Sequence, residues 1–390
     1  MEFKKLEQLS VVIQKEIDQG ELSGAAIRVI HNNETLYQDE LGYADMEKKV
    51  PTDRNTIYRM FSMTKPVTAV ATMILYERGQ LNLLAPVGDY LEGFQDQQVY
   101  TEKGLIPVER PATIQDLLNM TSGIAYPDES FEVGRRMQAV FSEVEKSYHE
   151  GINVGTVEFA NRIGRVPLEF HPGNRWRYGA SADILGAVIE VISGKSFGQF
   201  LKDEIFNPLN MTDTDFYVPK YKLDRFSKAY DYNFETNALV PFTNDMLAIF
   251  DYLTPPAFES GGAGLVSTMK DYSRFALMLA NGGVHNGVRI LGRKTVEYLS
   301  TPQLTPAQSV TFNWDPQAGY NYGNLMRSMV DPVKAASNGS VGEFGWDGWT
   351  GNYFLVDPKE NLVMLYMIQR CGGTNPTMFR KLRSIIYGAL

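Results

Sequence analysis

Ser62-Met63-Thr64-Lys65 sets a hydroxyl and an amine three residues apart at the expected start of a helix. At that spacing both side chains lie on one helical face. A serine attacks a carbonyl only when something takes its proton, and a lysine does so once its pKa is depressed. The positive end of a helix disfavours the ammonium form, and burial adds to the effect. The tetrad therefore reads as a nucleophile that carries its own base and needs no histidine.

Two other segments compete for that role. Ser267-Thr268-Met269-Lys270 repeats the spacing, but Thr268 and Asp271 fit a capping box ahead of an apolar helical run, so this copy reads as a helix start. Gly194-Lys195-Ser196-Phe197-Gly198 has the G-x-S-x-G spacing of a nucleophile elbow, which needs a buried strand before it. Here a helix over about 181–193 precedes it, Gly194 is that helix's stop, and Ser196 with Gln199 caps the next. His31, His149, His171 and His285 fall in loop-like or polar segments, so a Ser-His-Asp arrangement has no evident base. No zinc, calcium, phosphate-loop or dinucleotide pattern occurs, and no metal or organic cofactor is expected. The cluster Gly261-Gly262-Ala263-Gly264 leads into apparent strand and reads as close backbone packing.

The elements that must hold the tetrad follow from periodicity. Leu6, Leu9, Ile13 and Ile17 predict a helix over about 3–19, ended by Gly20. Runs over 25–30 and 35–41 predict a hairpin, 57–61 a short strand, and Val67, Val70, Ile74 and Leu75 the apolar stripe of the helix that Ser62 opens. From about 81 to 240 the pattern is mostly helices and loops, among them 114–120, 132–149 and 197–206. Beyond 255 a strand entry (259–267), a helix (271–280), a buried hairpin (352–357 and 362–367) and a closing helix (378–387) are expected. Strands at both ends of the chain with helices between predict an α+β fold: one antiparallel sheet built from both termini and flanked by helices. The expected division is an α/β sandwich domain of residues 1–80 plus 241–390 and an inserted helical domain of residues 81–240.

Composition narrows the partners. The 390-residue chain is 44% hydrophobic and carries a net charge of −9 without acidic or basic blocks, which argues against nucleic-acid binding. Its longest apolar runs, such as 67–75, are too short to span a bilayer. Met1-Glu2-Phe3-Lys4-Lys5 lacks a secretory apolar stretch, and the single cysteine, Cys371, suits a reducing compartment. A cytoplasmic protein is expected, although a processed secreted form would have the same sequence. The expected partner is a small molecule, with the oligomeric state left open.

Tyr58-Arg59-Met60-Phe61-Ser62-Met63-Thr64-Lys65-Pro66 resembles the active-site strand and helix of the serine β-lactamase and penicillin-binding-protein superfamily. The match is closest to its class C-like branch, the family VIII carboxylesterases above all. Four further segments resemble that branch in order: Thr113-Ile114-Gln115-Asp116-Leu117-Leu118-Asn119-Met120-Thr121-Ser122-Gly123; His171-Pro172-Gly173 followed by Tyr178; Ser260-Gly261-Gly262-Ala263-Gly264-Leu265-Val266-Ser267-Thr268; and Gly345-Trp346-Asp347-Gly348. The resemblance implies Ser62 as nucleophile, Lys65 as base or relay, and Tyr178 as the tyrosine that shuttles the leaving group's proton. It implies an oxyanion hole made by the backbone N–H groups of Ser62 and Trp349. Tyr322-Gly323-Asn324 also has a Tyr-x-Asn spacing, but it stands just before the C-terminal strands and reads as structural. A phenol near its usual pKa of about 10 needs a nearby cation to act as a base at neutral pH, so either Lys65 or Tyr178 could hold the proton.

Two departures bear on substrate. Tyr178-Gly179-Ala180 lacks the asparagine usual in the second motif, and Trp346-Asp347-Gly348 lacks the cation usual in the third. Trp346 cannot pair with a substrate carboxylate, and Asp347 would repel one if it faced the pocket. With Trp349, Tyr353 and Tyr126, Trp346 suggests an aromatic, apolar cleft, and Tyr126, Trp346, Asp347, Gly348 and Tyr353 are the expected substrate contacts. The expected activity is hydrolysis of small, fairly apolar carboxylic esters through an acyl-serine. The alternatives are a β-lactamase, D-amino-acid peptidase or acyltransferase of the same superfamily, or a non-catalytic scaffold.

Overall fold

A computed structural model describes residues 3–243, 246–372 and 376–390; Met1 and Glu2 of the N-terminal segment lie outside them. The N-terminal helix stripe folds as α1 (Gln8–Asp18) and stops where Gly20 turns left-handed at φ +75°. The hairpin follows as β1 (Gly24–His31) and β2 (Glu34–Asp45), with β3 (Val50–Pro51) at its edge. β4 (Ile57–Arg59) leads to α2 (Thr64–Glu77), and α3 (Ser181–Ser193) is the central helix of the long helical stretch. The C-terminal part supplies β5 (Val266–Thr268), α4 (Met269–Ala280), β6 (Tyr320–Gly323), β7 (Met326–Met329), β8 (Phe344–Asp347), β9 (Tyr353–Asp357), β10 (Leu362–Ile368) and α5 (Pro376–Tyr387).

Eight strands form one antiparallel sheet in the order β6-β7-β8-β9-β10-β1-β2-β3, so the two ends of the chain meet where β10 pairs with β1. Alternation along the strands divides the core in two. Phe344, Trp346, Phe354, Val363 and Leu365 face the core built around α2, α3 and α4. Tyr353, Leu355, Leu362, Met364 and Tyr366 face the opposite core, closed by α1 and α5. The unbroken apolar run of β10 is thus a strand covered on both faces, which is why it shows no polar alternation. β4 pairs with β5 as a separate two-stranded ribbon beside the sheet, and it carries the chain into the Ser62 turn.

The fold is α+β, as the sequence predicts. The expected strand over 57–61 stops at Arg59 because Phe61 takes a left-handed conformation and enters a 3₁₀ turn, Phe61–Met63. Among the described residues no single helix is long and apolar enough to cross a membrane. The pair Ser181–Ser193 and Phe197–Phe206 passes by composition, but it is bent by 79°, and most of α3 is buried core.

Candidate active site

Ser62 sits on a turn that is pinned from several sides. Met60 N–H bonds Leu265 O at 2.9 Å, Leu265 N–H bonds Thr64 Oγ1 at 3.1 Å, and Tyr272 Oη–H bonds Met63 O at 2.8 Å. Phe61, immediately before the serine, holds φ +44°, a strained conformation for a residue with a side chain. The turn lifts Ser62 out of the surrounding core: its neighbours Phe61 and Met63 are buried, while Ser62 keeps partial exposure.

Lys65 lies in the first turn of α2 with no exposed surface. Its Nζ is 3.1 Å from Ser62 Oγ, 3.2 Å from Tyr126 Oη and 2.9 Å from Gly262 O. Burial pushes its pKa down to about 7, and the charges of Asp183 and Asp347 act in the opposite sense. The expected effect of a helix N-terminus is not what dominates here; the enclosure of the amine does.

Tyr178 stands across the amine, with its ring centroid 4.6 Å from Lys65 Nζ. Its hydroxyl hydrogen-bonds Ser62 and accepts the indole N–H of Trp346 at 3.2 Å. Burial raises its pKa, against those two hydrogen bonds, so the phenol is protonated at neutral pH. The residue after it is shaped by packing: a Cβ on Gly179 would come within 2.0 Å of Ile124 O. That close approach brings the 124–126 segment, and with it Tyr126, against the site.

Two members of the constellation, Tyr126 and Asp183, lie outside the sequence motifs, and a third, Gly262, lies within one but acts through its carbonyl. Tyr126, expected only as a wall, hydrogen-bonds Lys65 and Asp183 through its hydroxyl. Asp183 is buried in the first turn of α3, accepts from Ser260 Oγ at 2.6 Å and from Gly262 N at 2.9 Å, and has its pKa raised by burial. Gly262 turns its carbonyl to Lys65. The glycine cluster does pack closely, as expected: a Cβ on Gly261 would meet Ala182 O at 2.3 Å, and one on Gly262 would meet Tyr126 Oη at 2.7 Å. Tyr126 and Asp183 stand beside the lysine. An acidic residue five positions beyond the motif tyrosine was the available signal for Asp183.

The third motif divides by the pleat of β8. Trp346 is 2% exposed and faces Tyr178 on the same side as its cross-strand partner Phe354, whereas Asp347, the next residue along the strand, points to the other face. Asp347 pairs with Arg327 at 3.1 Å, and Tyr353, its cross-strand partner, packs tilted against Phe379 of α5 with ring centroids 4.2 Å apart. Asp347 and Tyr353 therefore lie on the α5 side of the sheet and are corrected as substrate contacts. Gly348 opens the turn after β8; a Cβ there would meet Met60 O at 2.5 Å, so the glycine lets this turn lie against the backbone leading to Ser62. Trp349 follows, its ring 5.4 Å from Phe61 and 5.3 Å from Phe242. On the Tyr178 side a cleft of about 520 Å³ is lined by Tyr126, Tyr178, Trp176, Trp314 and Arg175.

The rejected alternatives fold as helix starts. Thr268 Oγ1 accepts from Asp271 N at the head of α4. Ser196 is exposed and accepts from Gln199 N at 3.2 Å, capping Phe197–Leu201. Tyr322 is buried, with its ring 5.0 Å from that of Trp346, and serves as packing.

Ser62 in contact with Lys65, the Tyr178 ring over that amine, and this sheet with its flanking helices are the arrangement of a beta-lactamase-fold serine hydrolase. The chain belongs to the beta-lactamase family, whose model matches residues 9–385. It is 32% identical over 369 residues to Protein Rv1367c of Mycobacterium tuberculosis, covering 92% of this chain and 88% of that one. It is 26% identical to Esterase EstB of Burkholderia gladioli, covering 97% of this chain and 94% of the esterase. Among solved structures, EstCE1, described as a hydrolase with promiscuous acyltransferase activity, superposes with a TM-score of 0.82 at 23% identity, covering 99% of both chains.

Proposed function

We propose that the protein is a serine esterase that hydrolyses small, fairly apolar carboxylic esters through an acyl-Ser62 intermediate. The observation that carries this reading is the contact of 3.1 Å between Ser62 Oγ and a fully buried Lys65 whose pKa is pushed down to about 7. Above that pH the amine is neutral. It keeps two N–H bonds for Gly262 O and Tyr126 Oη and offers its lone pair to the serine proton. Ser62 Oγ attacks the ester carbon while its proton passes to Lys65. The oxygen that becomes negative is held by the N–H groups of Ser62 and Trp349, each worth on the order of 3 kcal/mol. The bond to the leaving alkoxide breaks, and Tyr178 gives that oxygen a proton and is resupplied from Lys65. Water then attacks the acyl carbon, passes a proton back through the same pair, and frees the acid and Ser62. A positioned base of this kind contributes roughly 10²–10⁴-fold.

Esters fit better than penicillin-like substrates because the cation of the third motif is a tryptophan here, and the amide of the second is absent. The related EstB is named an esterase. Acyl transfer to an alcohol is the second reading, favoured by the roomy cleft beside Tyr178. In a p-nitrophenyl butyrate assay, Ser62→Ala is expected to abolish turnover, while Ser196→Ala leaves it largely intact. Activity retained in Ser62→Ala overturns the nucleophile. Nitrocefin turnover at a comparable rate would shift the reading to a β-lactamase, and product partitioning with added butanol measures transfer.

A further inference from the structure

The hydrogen bonds through Ser62 run in one direction, because both ends of the chain they form are fixed. At one end is the Trp346 indole, whose Nε1–H donates and cannot accept. It lies 3.2 Å from Tyr178 Oη, so that oxygen is the acceptor and its own proton must point elsewhere. At the other end is the Gly262 carbonyl, which accepts from Lys65 Nζ at 2.9 Å and cannot donate. Neutral Lys65 turns its two N–H groups to Gly262 O and Tyr126 Oη, which leaves its lone pair for the Ser62 proton at 3.1 Å. With its proton in that bond, Ser62 Oγ can only accept from the Tyr178 hydroxyl, with which it also hydrogen-bonds. The order is therefore Trp346 N–H to Tyr178 O–H to Ser62 O–H to Lys65 N.

Packing holds the indole in place. Trp346 is buried on the inner face of β8, with the Tyr322 ring 5.0 Å away and Phe354 directly across the sheet. Its ring lies tilted against that of Tyr178, with centroids 5.8 Å apart. An indole N–H carries no net charge, and burial raises the Tyr178 pKa in spite of the bond it gives. A phenol that keeps its proton in this way is an acid. A p-nitrophenolate departs from an ester without being protonated, whereas the far more basic alkoxide of an aliphatic alcohol needs a proton as it leaves.

We propose that Trp346 is a positioning residue that aims the Tyr178 proton at the departing oxygen, so that the site is built for esters of unactivated aliphatic alcohols. As the bond from Ser62 Oγ to the acyl carbon forms, the serine proton passes to Lys65. As the bond to the alkoxide breaks, Tyr178 Oη gives that oxygen its proton. The Trp346 N–H holds the phenolate left behind until Lys65 returns a proton to it. This rests on the acyl-Ser62 reading.

The test compares kcat/KM for p-nitrophenyl butyrate and butyl butyrate, two donors of the same acyl group. Trp346→Phe keeps a ring and removes the N–H. It is expected to lower kcat/KM for the butyl ester at least about ten-fold more than for the p-nitrophenyl ester. Tyr178→Phe is expected to show the same split, and the double variant to lose no more than Tyr178→Phe alone, because the indole acts through the phenol. Phe354→Leu disturbs packing on the same face without removing the N–H, and is expected to affect both esters equally. A Trp346→Phe loss equal for the two esters, or one that adds in full to that of Tyr178→Phe, overturns the inference and leaves the esterase reading standing. So does a native protein that turns over the p-nitrophenyl ester but not the butyl ester. Absence of turnover with both overturns the acyl-Ser62 reading and the inference with it. Should Trp346→Phe not fold, the four indole N–H signals of ¹⁵N-labelled protein decide. Tyr178→Phe keeps the ring and removes the acceptor, and is expected to move one signal upfield and speed its exchange with solvent. Four unmoved signals overturn the inference.

Discussion

Lys65 is enclosed so completely that the amine has no water to stabilise its charge, and the sign of the consequence is fixed. A pKa pushed down to about 7 leaves the neutral base in the majority above that pH and the inactive ammonium in the majority below it. The logarithm of kcat/KM for a neutral ester is expected to rise with unit slope up to about pH 7 and then level off, measured with an ester whose leaving group does not titrate in that range. The Asp183 carboxylate works against the depression. In Asp183→Asn the bend is therefore expected to move to lower pH. A bend that stays put or moves up would remove Asp183 from the electrostatics of the base. The meeting of Ser62, Lys65 and Tyr178 was legible in the sequence because each belongs to a short motif. The Tyr126 hydroxyl and the Gly262 carbonyl were not, because they reach Lys65 from 61 and 197 residues away, and only the packing of separate segments brings them together.

At the scale of elements, the site is a junction of α2, α3, β8 and the 260–264 segment, and close backbone approach is what lets them meet. Gly262 shows the requirement most directly. A methyl there would press on Tyr126 Oη at 2.7 Å and on Asp183 Oδ2 at 2.8 Å, both of them partners of the base or of its support. Gly262→Ala is expected to cost about 1–3 kcal/mol of stability by overpacking. It is expected to lower kcat by on the order of 10²-fold by misplacing the reacting groups. Thermal melting and ester kinetics on the folded variant check the two effects separately, and a variant with native kcat would show that the segment gives way freely. The same scale explains the misassigned half of the third motif. The tetrad Trp346-Asp347-Gly348-Trp349 was readable as a site segment, but which side chains face it depends on the pleat. A strand sends Trp346 and Asp347 to opposite faces, so only alternate residues of the motif can reach a substrate.

Across the whole molecule, the sheet is the partition: the candidate site occupies one face, and α1 with α5 closes the other. Sequence patterns fixed which elements build that closure, since the stripes of α1 and α5 are apolar, yet they concealed a buried ionic network inside it. Glu343 has no exposed surface and accepts Arg383 Nη2 at 2.7 Å, Tyr387 Oη at 2.8 Å and Tyr320 Oη at 3.2 Å. Arg383 in turn donates to Tyr320 and Ser337, tying α5 to β6 and to the 337–343 turn before β8. Removing the cation leaves a carboxylate without its compensating charge, a loss that typically costs about 3–5 kcal/mol. Arg383→Met is expected to lower unfolding stability by that amount in urea titrations at pH 7 while the ester preference of the folded protein is unchanged. The pH dependence gives a sharper check. Burial already raises the Glu343 pKa, with Arg383 opposing, so without Arg383 it rises further above the unfolded value of about 4.3. Between those two values the folded state then binds more protons than the unfolded one, and stability must fall as pH rises. The deficit of Arg383→Met is accordingly expected to be smallest near pH 4–5 and to grow toward neutrality, whereas a purely steric defect would be constant across that range.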